Sequence, residues 1–221
     1  MNMPMSALKA QVCRQVMAAT LAAGAATLAH ADDVIPYANA GTYNTATYSF
    51  TAATTGDVIA YFVGGAGAGY ENEMGLLVNG VQTAAGFGLN NHTSFVGQSF
   101  NLGAVNAGDT LTLVMRNLTL GAQVYSDPTL NAAYDGVGAT GHNHIYSTAY
   151  TATSPLFSGV PVGIYVGFED LPFPGADYNY DDESFVFTNV AVAVPEPQTY
   201  ALLLAGLGVA GVMTRRRQSA V

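Results

Sequence analysis

Between Gly167 and Phe187 the chain reads GFEDLPFPGADYNYDDESFVF. Glu169, Asp170, Asp177, Asp181, Asp182 and Glu183 put six carboxylates within fifteen positions, with Asn179 among them and no basic residue nearby in sequence. Like charges this close repel one another at neutral pH unless water or a bound cation takes up their field. Carboxylate and amide oxygens are hard ligands, and Ca²⁺ takes about six to eight of them. Asp177-x-Asn179-x-Asp181 repeats the first three ligand positions of an EF-hand loop. The sixth place holds Asp182 where that loop needs glycine, and the twelfth holds Thr188 where it needs glutamate, so an EF-hand is excluded. A different Ca²⁺ site is expected, formed by Glu169, Asp170, Asp177, Asn179 and Asp181, with the first two reaching the others across the turn at Pro172 and Pro174. A solvated acidic loop is the plainer alternative.

Other chemistry is less well supplied. His142 and His144 lie two apart and would share one face of a strand, but no third zinc ligand is identifiable. Glycoside hydrolysis needs two carboxylates at a set separation across a cleft, which spacing alone does not reveal. There is no G-x-S-x-G elbow and no evident Ser-His-Asp set. No catalytic residue is therefore assigned and a non-enzymatic protein is expected; a polysaccharide-active hydrolase using carboxylates of the acidic loop is the alternative. Tyr70, Tyr125, Tyr178 and Tyr180 could stack on sugars, although aromatic residues are ordinary in sheets. The glycine run Gly64 to Gly69 has no following Lys-Ser/Thr pair and reads as a loop between strands, not as a phosphate cradle.

The elements around these residues read as short strands. Thr45 to Thr51 alternates, Asp57 to Val63 is β-rich, and Met74 to Val78 runs into Asn79-Gly80, a hairpin signal. Gln98 to Leu102, Thr110 to Arg116, Ile145 to Tyr150, Val162 to Phe168 and Ser184 to Val192 complete the set, with a turn at Asn106 to Asp109. No stretch of the body has a convincing 3.6-residue period, so a parallel α/β sheet is excluded. An all-β fold is expected, an antiparallel sandwich of jelly-roll-like order. Gly121 to Ile145 reads as a long loop at one end of it.

Charged residues are only 10% of the 221-residue chain, well below the usual share of about 25%. Five of the six basic residues, Lys9, Arg14, Arg215, Arg216 and Arg217, lie in the terminal segments, which leaves Arg116 as the one base of the body. So acidic a body is repelled by phosphates, and nucleic acid is not an expected partner. Residues 1–31 read as a secretory signal helix. Lys9 and Arg14 precede an apolar run from Val16 to Leu28, and Ala29-His30-Ala31 is a cleavage site with the cut between Ala31 and Asp32. The only cysteine, Cys13, is removed with it, so neither a disulfide nor cysteine chemistry is expected of the body, residues 32–193. Export through the Sec machinery follows.

Residues 194–217 form a third segment. Pro195-Glu196-Pro197 stops any strand. Tyr200 to Met213 is apolar, but fourteen helical residues span only ~21 Å against a bilayer core of ~30 Å. Arg215, Arg216 and Arg217 would hold this short transmembrane helix with its arginines on the cytoplasmic side. The order VPEP, Thr199, short Leu/Gly helix and terminal arginines resembles the PEP-CTERM sorting signal of Gram-negative bacteria that make exopolysaccharide. The resemblance implies recognition and cleavage near the PEP motif by a membrane enzyme of the exosortase type. It further implies a transient stay in the inner membrane and delivery to the cell surface or the extracellular matrix.

The EDL…D-x-x-Y-x-D order before an aromatic-Val-Phe strand also resembles the acidic terminal motif of β-sandwich domains in bacterial surface proteins, for which calcium is often inferred. Those domains usually carry Leu or Val after the last Asp, whereas Asp182-Glu183-Ser184 stand here. The expectation as a whole is an exported, matrix-associated structural or binding protein, with exopolysaccharide as a partner and Ca²⁺ as its cofactor.

Overall fold

Strand alternation decides which side chains of this chain face inward, and the inward sets are large and apolar. The computed structural model describes residues 40–65, 67–136, 140–151, 157 and 159–193. The expected signal helix with its cleavage point at Ala31 and Asp32 lies outside the described residues. So does the tail with Pro195, Glu196, Pro197, Arg215, Arg216 and Arg217. Among the described residues no helix is long and apolar enough to cross a membrane.

Eleven strands follow in order among the described residues: β1 (Ser49–Ala52), β2 (Gly56–Gly64), β3 (Asn72–Val78), β4 (Val81–Gly88), β5 (Ser99–Val105), β6 (Thr110–Asn117), β7 (Ala122–Tyr125), β8 (Ile145–Tyr150), β9 (Gly163–Phe168), β10 (Glu183–Thr188) and β11 (Val190–Ala193). All pairings are antiparallel. One sheet has the order β11-β1-β6-β3-β4, with β7 paired to β6; the other has the order β5-β2-β10-β9-β8. The two pack as a sandwich, as the alternation of the strands predicts. Asn79 (φ 51°) and Gly80 (φ 82°) make the β3–β4 turn, both in the left-handed region that a tight primed hairpin turn needs.

Phe50, Val58, Ala60, Phe62, Met74, Leu76, Leu102, Leu113, Met115, Val166, Phe168, Phe185 and Phe187 meet between the sheets. Each large side chain buried this way contributes about 1.5–3 kcal/mol. β10 is covered on its other face too, where Val186 packs with Val63, Val160 and Tyr165. Several features differ from the strand reading of the sequence: β1 covers only Ser49–Ala52 of the run from Thr45, and β4 has no counterpart among the expected strands. The run Ser184 to Val192 is two strands in different sheets, because Asn189 (φ 61°) turns the chain from one sheet to the other between Thr188 and Val190. The segment read as a loop from Gly121 to Ile145 contains β7 and a 3₁₀ helix, Pro128–Ala133, whose first turn is capped by the Asp127 side chain accepting from Thr129 N.

The topology also sorts the two ends of the sandwich. β3 and β10 start, and β6 and β9 finish, at the same end. The acidic loop between β9 and β10 lies there.

Candidate metal centre

β9 ends at Phe168, and Glu169 and Asp170 continue from it into the loop that returns to β10 at Glu183. The loop closes on itself through backbone. Asp182 N donates to Phe168 O (3.2 Å), and Asp170 N donates to the Asp182 Oδ2 (2.8 Å). One oxygen each of Glu169, Asp170 and Asp182 lies within 4.8 Å of the others. Glu169 is 1% exposed and Asp170 2%.

Polar groups from several elements hold this arrangement. Glu169 Oε2 accepts from Tyr178 N (2.8 Å) and Oε1 from Leu171 N (3.3 Å). Asn72, the first residue of β3, donates from Nδ2 to Asp170 Oδ2 (2.7 Å). The Asp170 carbonyl accepts from Tyr134 Oη and from Asn117 Nδ2. Gly65 (φ 116°) lies against the Asp182–Glu183 backbone so closely that a Cβ there would clash with Asp182 O and stand 2.8 Å from Glu183 Cα. The glycine loop read from the sequence thus seats the start of β10.

The electrostatics follow from burial among like charges, with no lysine or arginine against them among the described residues and only His92 opposing the rise of Asp170 by charge. Burial pushes the Glu169 carboxyl up to about 8, the Asp177 charge adds to the rise, and the two backbone donors only partly offset it. Burial, then the charges of Asp170 and Glu169, pushes Asp182 up to about 9. Asp170 is raised by burial against the opposing Asn72 hydrogen bond. Glu183 is raised well above the usual carboxylate range by burial, then by Glu73, Asp170 and Asp182. Arg116 is engaged elsewhere: it pairs with Glu73 and lies 4.2 Å above the Phe87 ring. Buried carboxylates of this kind keep their protons or take a cation.

Not all the expected ligands gather. Asp177 is exposed, beside Glu169, and its oxygens accept from Asn179 N and Nδ2, both at 3.1 Å. Asn179 Oδ1 accepts from Asp181 N (3.1 Å), so both ends of its amide serve the loop. Asp181 is half-buried and lies outside the three-carboxylate group. Asp182 and Glu183 are the residues that the spacing argument passed over. For Glu183 the signal was present, as it was for Asn72: Glu183 is in phase with Phe185 and Phe187, and Asn72 with Met74 and Leu76, which all face the core.

His142 and His144 serve Asp135. Its Oδ2 accepts from His142 N (2.9 Å) and lies 3.1 Å from His142 Nδ1, while its Oδ1 lies 2.8 Å from His144 Nε2 and accepts from Phe173 N (3.0 Å). His142 stacks on Phe173 at 3.7 Å, and Tyr43 and Tyr178 pack around them. Tyr180 is fully buried, with its Oη accepting from Asn44 N (2.8 Å), and offers no face to a sugar.

Residues 193–217 match the family profile of the PEP-CTERM protein-sorting motif. Comparison with curated proteins and with solved structures gives no match. The motif marks an exported protein that is sorted at the membrane toward the cell surface and processed there by an exosortase-type enzyme.

Proposed function

We propose that this exported protein is a non-enzymatic structural or binding component of the extracellular matrix, associated with exopolysaccharide, whose sandwich is closed at one end by Ca²⁺. The supporting observation is the gathering of Glu169, Asp170 and Asp182 within 4.8 Å, the first two almost fully buried and the third half-buried, with no lysine or arginine to neutralise them among the described residues. The residues fit the ion. All the donors are hard oxygens, and buried acceptor atoms beside them, both Glu183 Oε atoms and Asn72 Oδ1, have no hydrogen-bond partner. Bound there, Ca²⁺ supplies the positive charge that the carboxylates lack. The chain's own groups orient the carboxylates: Tyr178 N and Leu171 N hold Glu169, and Asn72 holds Asp170.

On this reading the chain leaves through the Sec machinery, rests in the inner membrane by its tail and is released to the surface or the matrix after cleavage. Thermal unfolding of the full chain in mild detergent, in EDTA and then in millimolar Ca²⁺, tests the calcium component. Ligand at 100 times its Kd stabilises by about 2.7 kcal/mol, so the melting temperature rises by several degrees. An unchanged melting temperature removes calcium from the proposal.

The alternative, a hydrolase acting on polysaccharide through these carboxylates, needs them to meet a sugar. Glu169 and Asp170, at 1% and 2% exposure, are closed to one in this conformation. Release of reducing ends from the producer's own exopolysaccharide, abolished by Glu169→Gln, would overturn the non-enzymatic reading.

A further inference from the structure

The acidic loop between β9 and β10 invites a cation site on its outer side, built from Asp177, Asn179 and Asp181. The buried side chains point elsewhere. Glu183 is 0% exposed and neither of its carboxylate oxygens has a hydrogen-bond partner. It stands in phase with Phe185 and Phe187, so it projects between the sheets. Asn72, also 0% exposed, projects between the sheets from the opposite one, in phase with Met74 and Leu76. Its Nδ2 reaches Asp170 Oδ2 at 2.7 Å, which places the amide at the cluster, and its Oδ1 has no partner. Asn72 Oδ1 thus adjoins three gathered carboxylates at one end of the core, and Glu183, outside their 4.8 Å group, stands near enough for the charges of Asp170 and Asp182 to raise it. Buried acceptors are nearly always satisfied, and a cation satisfies several at once.

We infer that Glu183 and Asn72 are ligands of the cation, which is enclosed between the two sheets by them together with Glu169, Asp170 and Asp182. This rests on the calcium reading above and changes its ligand set. Asp177, Asn179 and Asp181 then form the outer turn that covers the site. The placement has a consequence for assembly. Asn72 belongs to β3 and Glu183 to β10, and these strands lie in different sheets. One ion bound to both ties the sandwich together at the end where β3 and β10 begin. A body without disulfides gains a cross-link of a different kind.

Calcium titration calorimetry of the full chain in detergent, at neutral pH, separates the possibilities. Native protein is expected to bind Ca²⁺, Glu183→Gln to bind it at least about tenfold more weakly, and Asp181→Asn within about twofold of native. In EDTA, Glu183→Gln is expected to melt higher than native, because it removes a buried carboxylate; in saturating Ca²⁺ the order reverses. Tb³⁺ luminescence lifetimes of native protein in H₂O and D₂O give a second readout that needs no variant. Five protein ligands in a site of six to eight leave the ion about one to three waters. If native protein binds no Ca²⁺, the calcium reading fails and this inference with it. If native protein binds but Glu183→Gln binds equally well, the calcium reading survives and the inference is overturned, with Glu183 a neutral buried acid. A lanthanide that keeps about five or more waters likewise overturns it.

Discussion

The two ends of the sandwich use the same residue types and put them in opposite electrostatic states. At the end where β10 passes into β11, Asp109 accepts from Asn106 N (2.7 Å) and Asn79 Nδ2 (2.9 Å). Those bonds, the one from Asn106 first, hold its carboxyl below the usual carboxylate range. Asn189 Oδ1 accepts from Thr54 N and Oγ1, and its Nδ2 donates to Thr54 O. At the other end Glu169, Asp170, Asp182 and Glu183 are raised, each by burial first. The difference lies in solvent and donors. The turn end is built on exposed backbone whose N–H groups meet its acceptors. The acidic end places acceptors in the core that no donor meets, which is the observation behind the proposed cation site.

The contrast can be broken at either end. The largest effect is expected from Gly65→Ala, which combines backbone strain at φ 116° with a clash against the Asp182–Glu183 backbone. Strain of about 1–3 kcal/mol and overpacking of about 1–3 kcal/mol predict a loss near 4 kcal/mol in urea unfolding, with Ca²⁺ binding lost as well. Gly80→Ala at the turn end meets open space at φ 82° and pays only for its backbone conformation, about 1–2 kcal/mol. Equal losses at the two glycines would show that Gly65 does not seat the start of β10.

Asp135→Asn comes next. Its side chain is fully buried and pairs with His142 and His144. An amide in its place turns a donor toward donors that the buried carboxylate accepts from, which costs about 3 kcal/mol. Burial raises the Asp135 carboxyl, but the bonds from Phe173 N, His144 and His142 N outweigh it and hold the group below its ordinary value of 3.8. A depressed carboxylate contributes stability that is full above its unfolded value and is lost as pH falls through the folded one. The difference between native and Asp135→Asn, followed by urea unfolding, should therefore be constant above about pH 5 and shrink below about pH 4. A difference that grows on acidification would contradict the assignment.

A smaller effect, close to that of Gly80→Ala, is expected from Asn189→Ala, which loses the bonds to Thr54 and strains a left-handed residue, about 2 kcal/mol in all. Ca²⁺ affinity should be untouched, since Asn189 lies at the other end. A changed affinity in this variant would mean that the two ends are coupled through β10.

Much of this was readable from residue order. Alternating and β-branched runs placed most of the strands, Asn79-Gly80 placed a hairpin turn, and the density of acids between Gly167 and Phe187 marked the end that carries the candidate site. β7 was hidden because Ala122 to Tyr125 sits among turn-forming residues, and its strand character depends on pairing with the second half of β6. The division of β10 from β11 was hidden for a related reason. Ser184 to Val192 is continuous in pattern, and only the positive φ of Asn189 breaks it.

By itself the sequence determined the class of fold, the PEP-CTERM sorting motif at residues 193–217, and the scarcity of lysine and arginine around the acids of the body. These depend on local pattern and composition, which need no partner in space. Only the tertiary structure decided which acids meet. Spacing favoured Asp177, Asn179 and Asp181 as partners of Glu169 and Asp170, but the loop uses them to hydrogen-bond its own turn. Asp182 joins Glu169 and Asp170 because the ends of β9 and β10 are neighbours in one sheet. Asn72 reaches Asp170 across 98 residues of sequence, from the other sheet, because β3 begins where β9 ends. The phase of a strand tells which side chains point inward; what they meet there is set by the packing of the sheets.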